Sequence, residues 1–245
     1  VITAVANDST DEEIEKAIKL IASDIEGDAL TYTASSDTSA VAVTISTDTL
    51  KLTPALNYTG TTVITVIVSD NALADTSKFD FKVINVNDAP VFNFTPPSST
   101  DEDAAFSYQL TASDIDADVV AETLTYEAVT VPDWMTVSST GLITGTPDNE
   151  DVGDHSVTVK VTDIAGESDT KTFTLKVNNV NDAPVFNFTP PSSTDEDAAF
   201  SYQLTASDID ADVVDETLTF EAVTVPDWMS VSSAGLITGT PTNDD

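Results

Sequence analysis

Two D-x-D pairs, Asp114/Asp116 and Asp208/Asp210, stand at equal distances behind two copies of an N-D-A-P linker. Glu12 and Glu102 lie early in their own stretches, each just before a run of alternating residues. Asp148, Glu150 and Asp163 come later, and Asn85, Asn87, Asp88 with Asn179, Asn181, Asp182 make up the linkers themselves. Side-chain oxygens of this kind, set in loops, serve two chemistries. Paired acids hydrolyse glycosides when they flank one cleft. Carboxylates, Asn side chains and backbone carbonyls in loose array hold calcium, which takes six to eight oxygens. Magnesium demands a strict octahedron and zinc prefers nitrogen and sulfur. Here the acids recur identically in successive repeats and sit beside linkers, so no enzyme is expected. With no Cys, no thiolate site can be assembled, and the lone His155, which begins a strand, has no partner for a triad or a zinc site.

Nothing in the chain neutralises these acids. Asp and Glu number 43 against 8 Lys plus Arg, all of them lysines, for a formal charge of -35. Nucleic acid and anionic membrane surfaces would be repelled, since binding phosphate needs basic stripes that are absent. Carboxylates brought within about 4–6 Å raise one another's cost of ionisation, so a crowded linker should splay unless a cation joins it. Disorder is the bland reading of so much charge, but 40% of the residues are hydrophobic and they alternate. No apolar run is long enough for a membrane span. The opening VITAVANDST lacks the basic and apolar regions of a signal peptide.

The elements that must carry these loops are strands in tandem repeats. Asp88 and Asp182 occupy the same place in VNDAPVF, a period of 94 residues, and Val86–Asp151 differs from Val180–Asp245 at six positions. A diverged copy lies upstream, where STDEEIEKAIKLIASD aligns with STDEDAAFSYQLTASD without a gap. The expected domains are 1–88, 89–182 and a partial one at 183–245 that lacks its last two strands, and both ends read as cuts through a longer array. Phe106, Tyr108, Leu110 and Ala112 alternate, as do Val157, Val159, Val161 and Phe173, Leu175, Val177. EEIEKAIKLIA favours helix by propensity, but the gapless repeat places Ile18, Leu20 and Ala22 on a strand. Turn signals at regular spacing complete an all-β class of tandem seven-strand Greek-key β-sandwiches, the third truncated.

VNDAPVF followed by ASDID, then GLITGTPDNEDVG and VTDIAG, resembles the cadherin superfamily. The VPDWM…TGLITGTP segment is most similar to dystroglycan-type cadherin-like domains of bacterial and archaeal surface proteins, and the first repeat to a more distant bacterial cadherin-like one. The resemblance implies Ca2+ between successive domains. Carried over, it implies a first joint of Glu12, Asn85, Asn87, Asp88, Asp114, Asp116 and Asp163. The second joint would use Glu102, Asp148, Glu150, Asn179, Asn181 and Asp182 with Asp208 and Asp210. There are three departures. Asn85 and Asn179 replace an Asp of the family pattern. TPALNYTG stands where the first repeat's acidic loop belongs, so that joint should hold fewer or weaker ions. The third repeat's counterpart of Asp163 falls beyond residue 245. Asp118 and Asp212 read as turn acids only.

Extracellular modules of this kind bind calcium at about 10⁻⁴–10⁻³ M, which places the protein outside the cell or on its surface. The expected role is a calcium-rigidified stalk or adhesion module of a large prokaryotic surface protein. Two alternatives stand beside it. In one the repeats themselves grip polysaccharide or a cell-surface protein. In the other, copies of the chain assemble into a filament by strand exchange. Trp134 and Trp228, each in PDWM, could stack on sugar but are expected in the core. His155 is expected to be structural. Four sequons (Asn7, Asn57, Asn93, Asn187) could carry glycans.

Overall fold

The computed structural model describes residues 1–118, 123–212 and 216–244, with the side chains of Asp118 and Asp212 outside the described residues. By proximity the chain divides into two compact bodies. One is Val1–Asn93 with Thr111–Thr125 and Val161–Thr170; the other is Phe94–Leu110 with Tyr126–Lys160 and Lys171–Asp245.

In the first body the strands are β1 (Asp8–Asp11), β2 (Lys16–Lys19), β3 (Thr31–Ser36), β4 (Val41–Ser46), β5 (Thr49–Pro54), β6 (Gly60–Ser69) and β7 (Ala74–Ile84). They form two sheets, β1-β7-β6-β3 and β2-β5-β4. Alternation explains the layering. Val63 and Thr65 of β6 are half-buried, whereas Ile64, Val66 and Val68 point inward to meet Phe79, Phe81 and Val83 of β7 and Leu50 and Leu52 of β5. The helix-prone stretch forms a strand over Lys16–Lys19, which holds Ile18; Leu20 lies just beyond it, and Ala22 makes an isolated bridge to Ile2. Glu13 turns the chain with φ 62, and Ile18 then pairs with Leu50 in antiparallel register. Burial of Leu20, together with ion pairs from Lys16 to Asp8 and from Lys51 to Glu15, overrides local propensity. β1 runs parallel to β7, with Asp11 opposite Ile84. Ahead of β1, Ile2 bridges to Ala22, and its N–H donates to Asp75 Oδ2 at 2.9 Å.

The next repeat re-uses the plan. β8 (Val91–Phe92) opens it, and β9 (Ser99–Asp101), β10 (Phe106–Gln109), β11 (Ala112–Ser113), β12 (Thr125–Thr130), β13 (Met135–Val137), β14 (Leu142–Gly145), β15 (Gly153–Thr162) and β16 (Ser168–Asn178) follow. The sheets are β12-β15-β16-β9, β10-β14-β13 and the pair β11-β8. β9 is parallel to β16 as β1 is to β7. The Phe92 N–H donates to Asp169 Oδ2 at 3.0 Å, matching the Ile2–Asp75 contact one repeat earlier. Val157, Val159, Val161, Leu175 and Val177 are fully buried.

The third copy contributes β17 (Val185–Phe186), β18 (Phe200–Gln203), β19 (Ala206–Ser207), β20 (Met229–Val231) and β21 (Leu236–Gly239). Two strands were expected to be missing here, but two more are lost as well, the first being the counterpart of β9 at Ser193–Asp195. Thr219–Thr224 spells TFEAVT, nearly the TYEAVT of β12, yet forms no strand. β12 lies against β15, and residues 183–245 contain no counterpart of β15. With that layer missing, Phe186 is 64% exposed where Phe92 is 7%.

Candidate metal centre

β1 delivers Glu12 to the first linker. Its N–H continues the parallel ladder to Ile84 O at 2.9 Å, and its Oε1 accepts the Val86 N–H at 2.7 Å. Two residues on, the Asp88 N–H donates to Asp116 Oδ2 at 2.7 Å. Asp116 sits in the 3₁₀ turn Ile115–Asp118 and donates its own N–H to Asp114 Oδ1 at 2.8 Å. Glu12, Asp88 and Asp116 thereby each place a carboxylate oxygen within 4.8 Å of the others. Glu12 is 5% exposed and Asp116 2%, and Asp114 Oδ2 is buried without a hydrogen-bond partner. Asp163 Oδ1 accepts N–H donors from Gly166 and Glu167, while its Oδ2 accepts Asn87 Nδ2 at 2.7 Å. The Asn87 amide, helped by those backbone donors, holds the Asp163 carboxyl below the usual range despite its burial. Asn85 is half-buried just beyond β7.

The second linker repeats these contacts. The Glu102 N–H reaches Asn178 O at 3.0 Å, Glu102 Oε1 accepts the Val180 N–H at 2.7 Å, and the Asp182 N–H donates to Asp210 Oδ2 at 2.6 Å. Asp210 donates its N–H to Asp208 Oδ1 at 3.0 Å, and Asn181 Nδ2 turns to Asp182 O at 2.7 Å. Among the described residues, four oxygens here are buried with no donor: Glu102 Oε2, Asn149 Oδ1, Asn179 Oδ1 and Asp210 Oδ1. Burial, with the charges of Asp103, Asp210 and Asp208, raises the Asp182 carboxyl above the usual range.

The sequence-predicted residues separate into two groups. Glu12, Asp88 and Asp116 come together, with Asp114, Asn87 and Asp163 joined to them by hydrogen bonds. At the second linker Asp182, Asp210 and Asp208 are chained by hydrogen bonds, Glu102 bonds to Val180, and Asn179 and Asn181 belong to the linker itself. Asp148 and Glu150 do not close on the linker. Both are exposed, and Asp148 Oδ1 caps its own turn by accepting the Glu150 N–H at 3.0 Å. Two neighbouring residues were not singled out, although both lie in quoted segments, Asp103 in STDEDAAFSYQLTASD and Asn149 in GLITGTPDNEDVG. Asp103 faces Asp182 electrostatically, and Asn149 Nδ2 donates to Ile209 O at 3.0 Å.

The donor set decides what these centres can hold. Ion pairs among the described residues join Lys16–Asp8, Lys19–Asp48, Lys51–Glu15 and Lys160–Glu127, and none of them reaches a linker. Carboxylate and amide oxygens buried without donors are costly. A hard divalent cation is one group that would satisfy such oxygens, and flexible all-oxygen donor sets suit calcium better than magnesium or zinc.

Trp134 is half-buried, edge-on to Phe106 at 6.1 Å and to His155 at 6.3 Å. Its packing requires glycine beside it, since a Cβ on Gly145 would lie 2.2 Å from Trp134 O. His155 takes part in that packing, and its Nε2 lies 2.5 Å from Asp151 O.

A family model of Ig domains, He_PIG, matches residues 89–178 and again 183–245. The chain belongs to this Ig-domain family. Residues 2–82 match a second family, a bacterial Ig domain. The He_PIG repeats and the bacterial Ig repeat before them thus make an all-β chain of tandem Ig/cadherin-like sandwiches. Among solved structures it is similar to the protocadherin gammaB7 EC3-6 cis-dimer (14% identity, TM-score 0.54, covering 100% of this chain and 70% of that one). It is similar also to the protocadherin gammaB4 extracellular domain (18%, 0.53, 100% and 46%) and to Drosophila N-cadherin EC1-4 (17%, 0.50, 99% and 66%). At these identities the likeness is one of fold. An endo-fucoidan hydrolase of glycoside hydrolase family 107 matches 72% of this chain at 25% identity and TM-score 0.34, too loosely to support an activity; the chain spans 28% of its length. No curated protein matches the chain. Among the described residues no helix is long and apolar enough to cross a membrane.

Proposed function

We propose that the chain is part of an extracellular or surface-displayed repeat array whose joints are stiffened by calcium. Its domains are those at 1–88, 89–182 and 183–245. The observation that carries this reading is the set of buried acceptors at the second linker, above all Glu102 Oε2 and Asp210 Oδ1, on residues 2% and 0% exposed. When bound, the ion supplies positive charge to oxygens that have no donor. The chain supplies the rest. Backbone N–H groups of Val86, Asp88, Val180 and Asp182 orient one oxygen of each carboxylate and leave the other free to serve as a ligand. Glu12, Asp88, Asp114 and Asp116 would hold the ion at the first joint, and Glu102, Asn179, Asp182, Asp208 and Asp210 at the second.

The role is mechanical. Without a cation, carboxylates crowded at a linker repel and the joint bends; with one, neighbouring sandwiches lock and the array becomes a stalk. Millimolar calcium outside a cell would saturate sites of about 10⁻⁴–10⁻³ M affinity, and cytosolic calcium would not. Small-angle scattering of the chain in a chelator and in millimolar calcium tests this. The radius of gyration should rise and the flexibility fall on adding the ion; identical profiles would refute the stalk mechanism.

A further inference from the structure

Asn149 lies between two acids, and it is the amide, not either acid, that reaches the following repeat. Its Nδ2 donates to Ile209 O at 3.0 Å, across sixty positions of sequence. A carbonyl can only accept, so this contact fixes which end of the side chain is nitrogen. The other end, Oδ1, is buried and has no donor. Ile209 is the residue between Asp208 and Asp210, so the amide is anchored on the D-x-D loop itself. Asp210, with no exposed surface, carries a second buried oxygen that lacks a donor. Asp148 behaves differently. It is exposed, gives Oδ1 to the Glu150 N–H and donates its own N–H to Asp151 Oδ2 at 3.0 Å. That reciprocal capping is complete without any ion.

We propose that Asn149, through Oδ1, is a calcium ligand of the second joint, and that Asp148 is not a ligand but the cap that shapes the turn presenting it. The proposal rests on the calcium reading above. It departs from the ligand set carried over by resemblance, which gives the loop's contribution to Asp148 and Glu150. It also makes the two joints unequal. The corresponding stretch of the first repeat, TPALNYTG, has no acid, and its one amide, Asn57, is exposed on left-handed backbone with φ 54.

Calcium chloride titrated into the isotope-labelled chain tests this by NMR, because the joints report separately. The Asp88 and Asp116 amides follow the first, and those of Asp182 and Asp210 the second. Asn149→Ala should raise the calcium needed for half the shift at Asp182 and Asp210 about tenfold and leave Asp88 and Asp116 unchanged. Asn149→Asp separates ligand from clamp, since it keeps the oxygen and loses the Nδ2 donor. It should bind more tightly than wild type, because ligand charge sets affinity. Asp148→Asn, which retains a capping side chain, should leave both joints as they were. Weakening by Asn149→Asp equal to that of Asn149→Ala would make the residue a clamp alone and overturn the proposal. So would unchanged binding in Asn149→Ala with weakened binding in Asp148→Asn. If no amide of either joint moves in the wild-type chain, the calcium reading itself has failed.

Discussion

The Asp88 N–H donates to Asp116 Oδ2 at 2.7 Å, tying a linker amide to the D-x-D loop that follows it. The same bond at 2.6 Å joins Asp182 to Asp210. One oxygen of each aspartate is thus held in place by backbone, and its position does not depend on an ion.

Asp116→Asn should therefore change sign with conditions. In a chelator it removes one of three carboxylates gathered within 4.8 Å and should raise the melting temperature of the first body. In calcium it should lower it relative to wild type, because a charged ligand is gone. At ten to a hundred times Kd, calcium should stabilise wild type by about 1.4–2.7 kcal/mol. Melting curves ranked alike in both buffers would contradict the site.

Magnesium should substitute poorly. The centres offer oxygens on turns and linkers, not an octahedron, and magnesium sheds its water reluctantly. At equal millimolar concentration the thermal shift with magnesium should be a small part of that with calcium, as calorimetry would show.

Acid should loosen the first strand segment before the core. Asp75 accepts the N–H groups of Ile2 and Thr76, and these hold its carboxyl below the ordinary value of 3.8. Because the folded value is depressed, the contribution is complete above 3.8 and is lost as pH falls through the lower folded value. The Ile2 amide resonance should titrate with a midpoint below 3.8, and Asp75→Ala should abolish that titration.

Gly145→Ala should destabilise the second repeat by about 1–3 kcal/mol through overpacking. The added Cβ would meet Trp134 O at 2.2 Å and Cε3 at 2.7 Å, so β14 or the indole must move. Denaturation followed by tryptophan fluorescence would report both the loss and the altered environment of Trp134.

Patterns of period two made the sandwiches readable from the letters alone, and the gapless repeat corrected the helical bias of EEIEKAIKLIA. Local pattern could not show that Thr219–Thr224 lacks a strand, because its near-twin β12 differs in partner rather than in composition. The site divides in the same way. Glu12, Asp88 and Asp116 fall together because β1 and the linker bring them there at offsets the repeat preserves. Asn149 was hidden for the opposite reason. A neutral amide among acids draws no attention, and its importance depends on Ile209 arriving from the next repeat. Asp148 was read from the family pattern as a linker acid, and what the letters could not show is that its Oδ1 also caps its own turn.

The parallel pairing of β1 with β7, and of β9 with β16, has a consequence for an array under tension. Strands at the start and end of a sandwich that run in one direction place its entrance and exit at opposite poles. A pull along the chain then shears their ladder, so that all its bonds must give way together instead of peeling one by one.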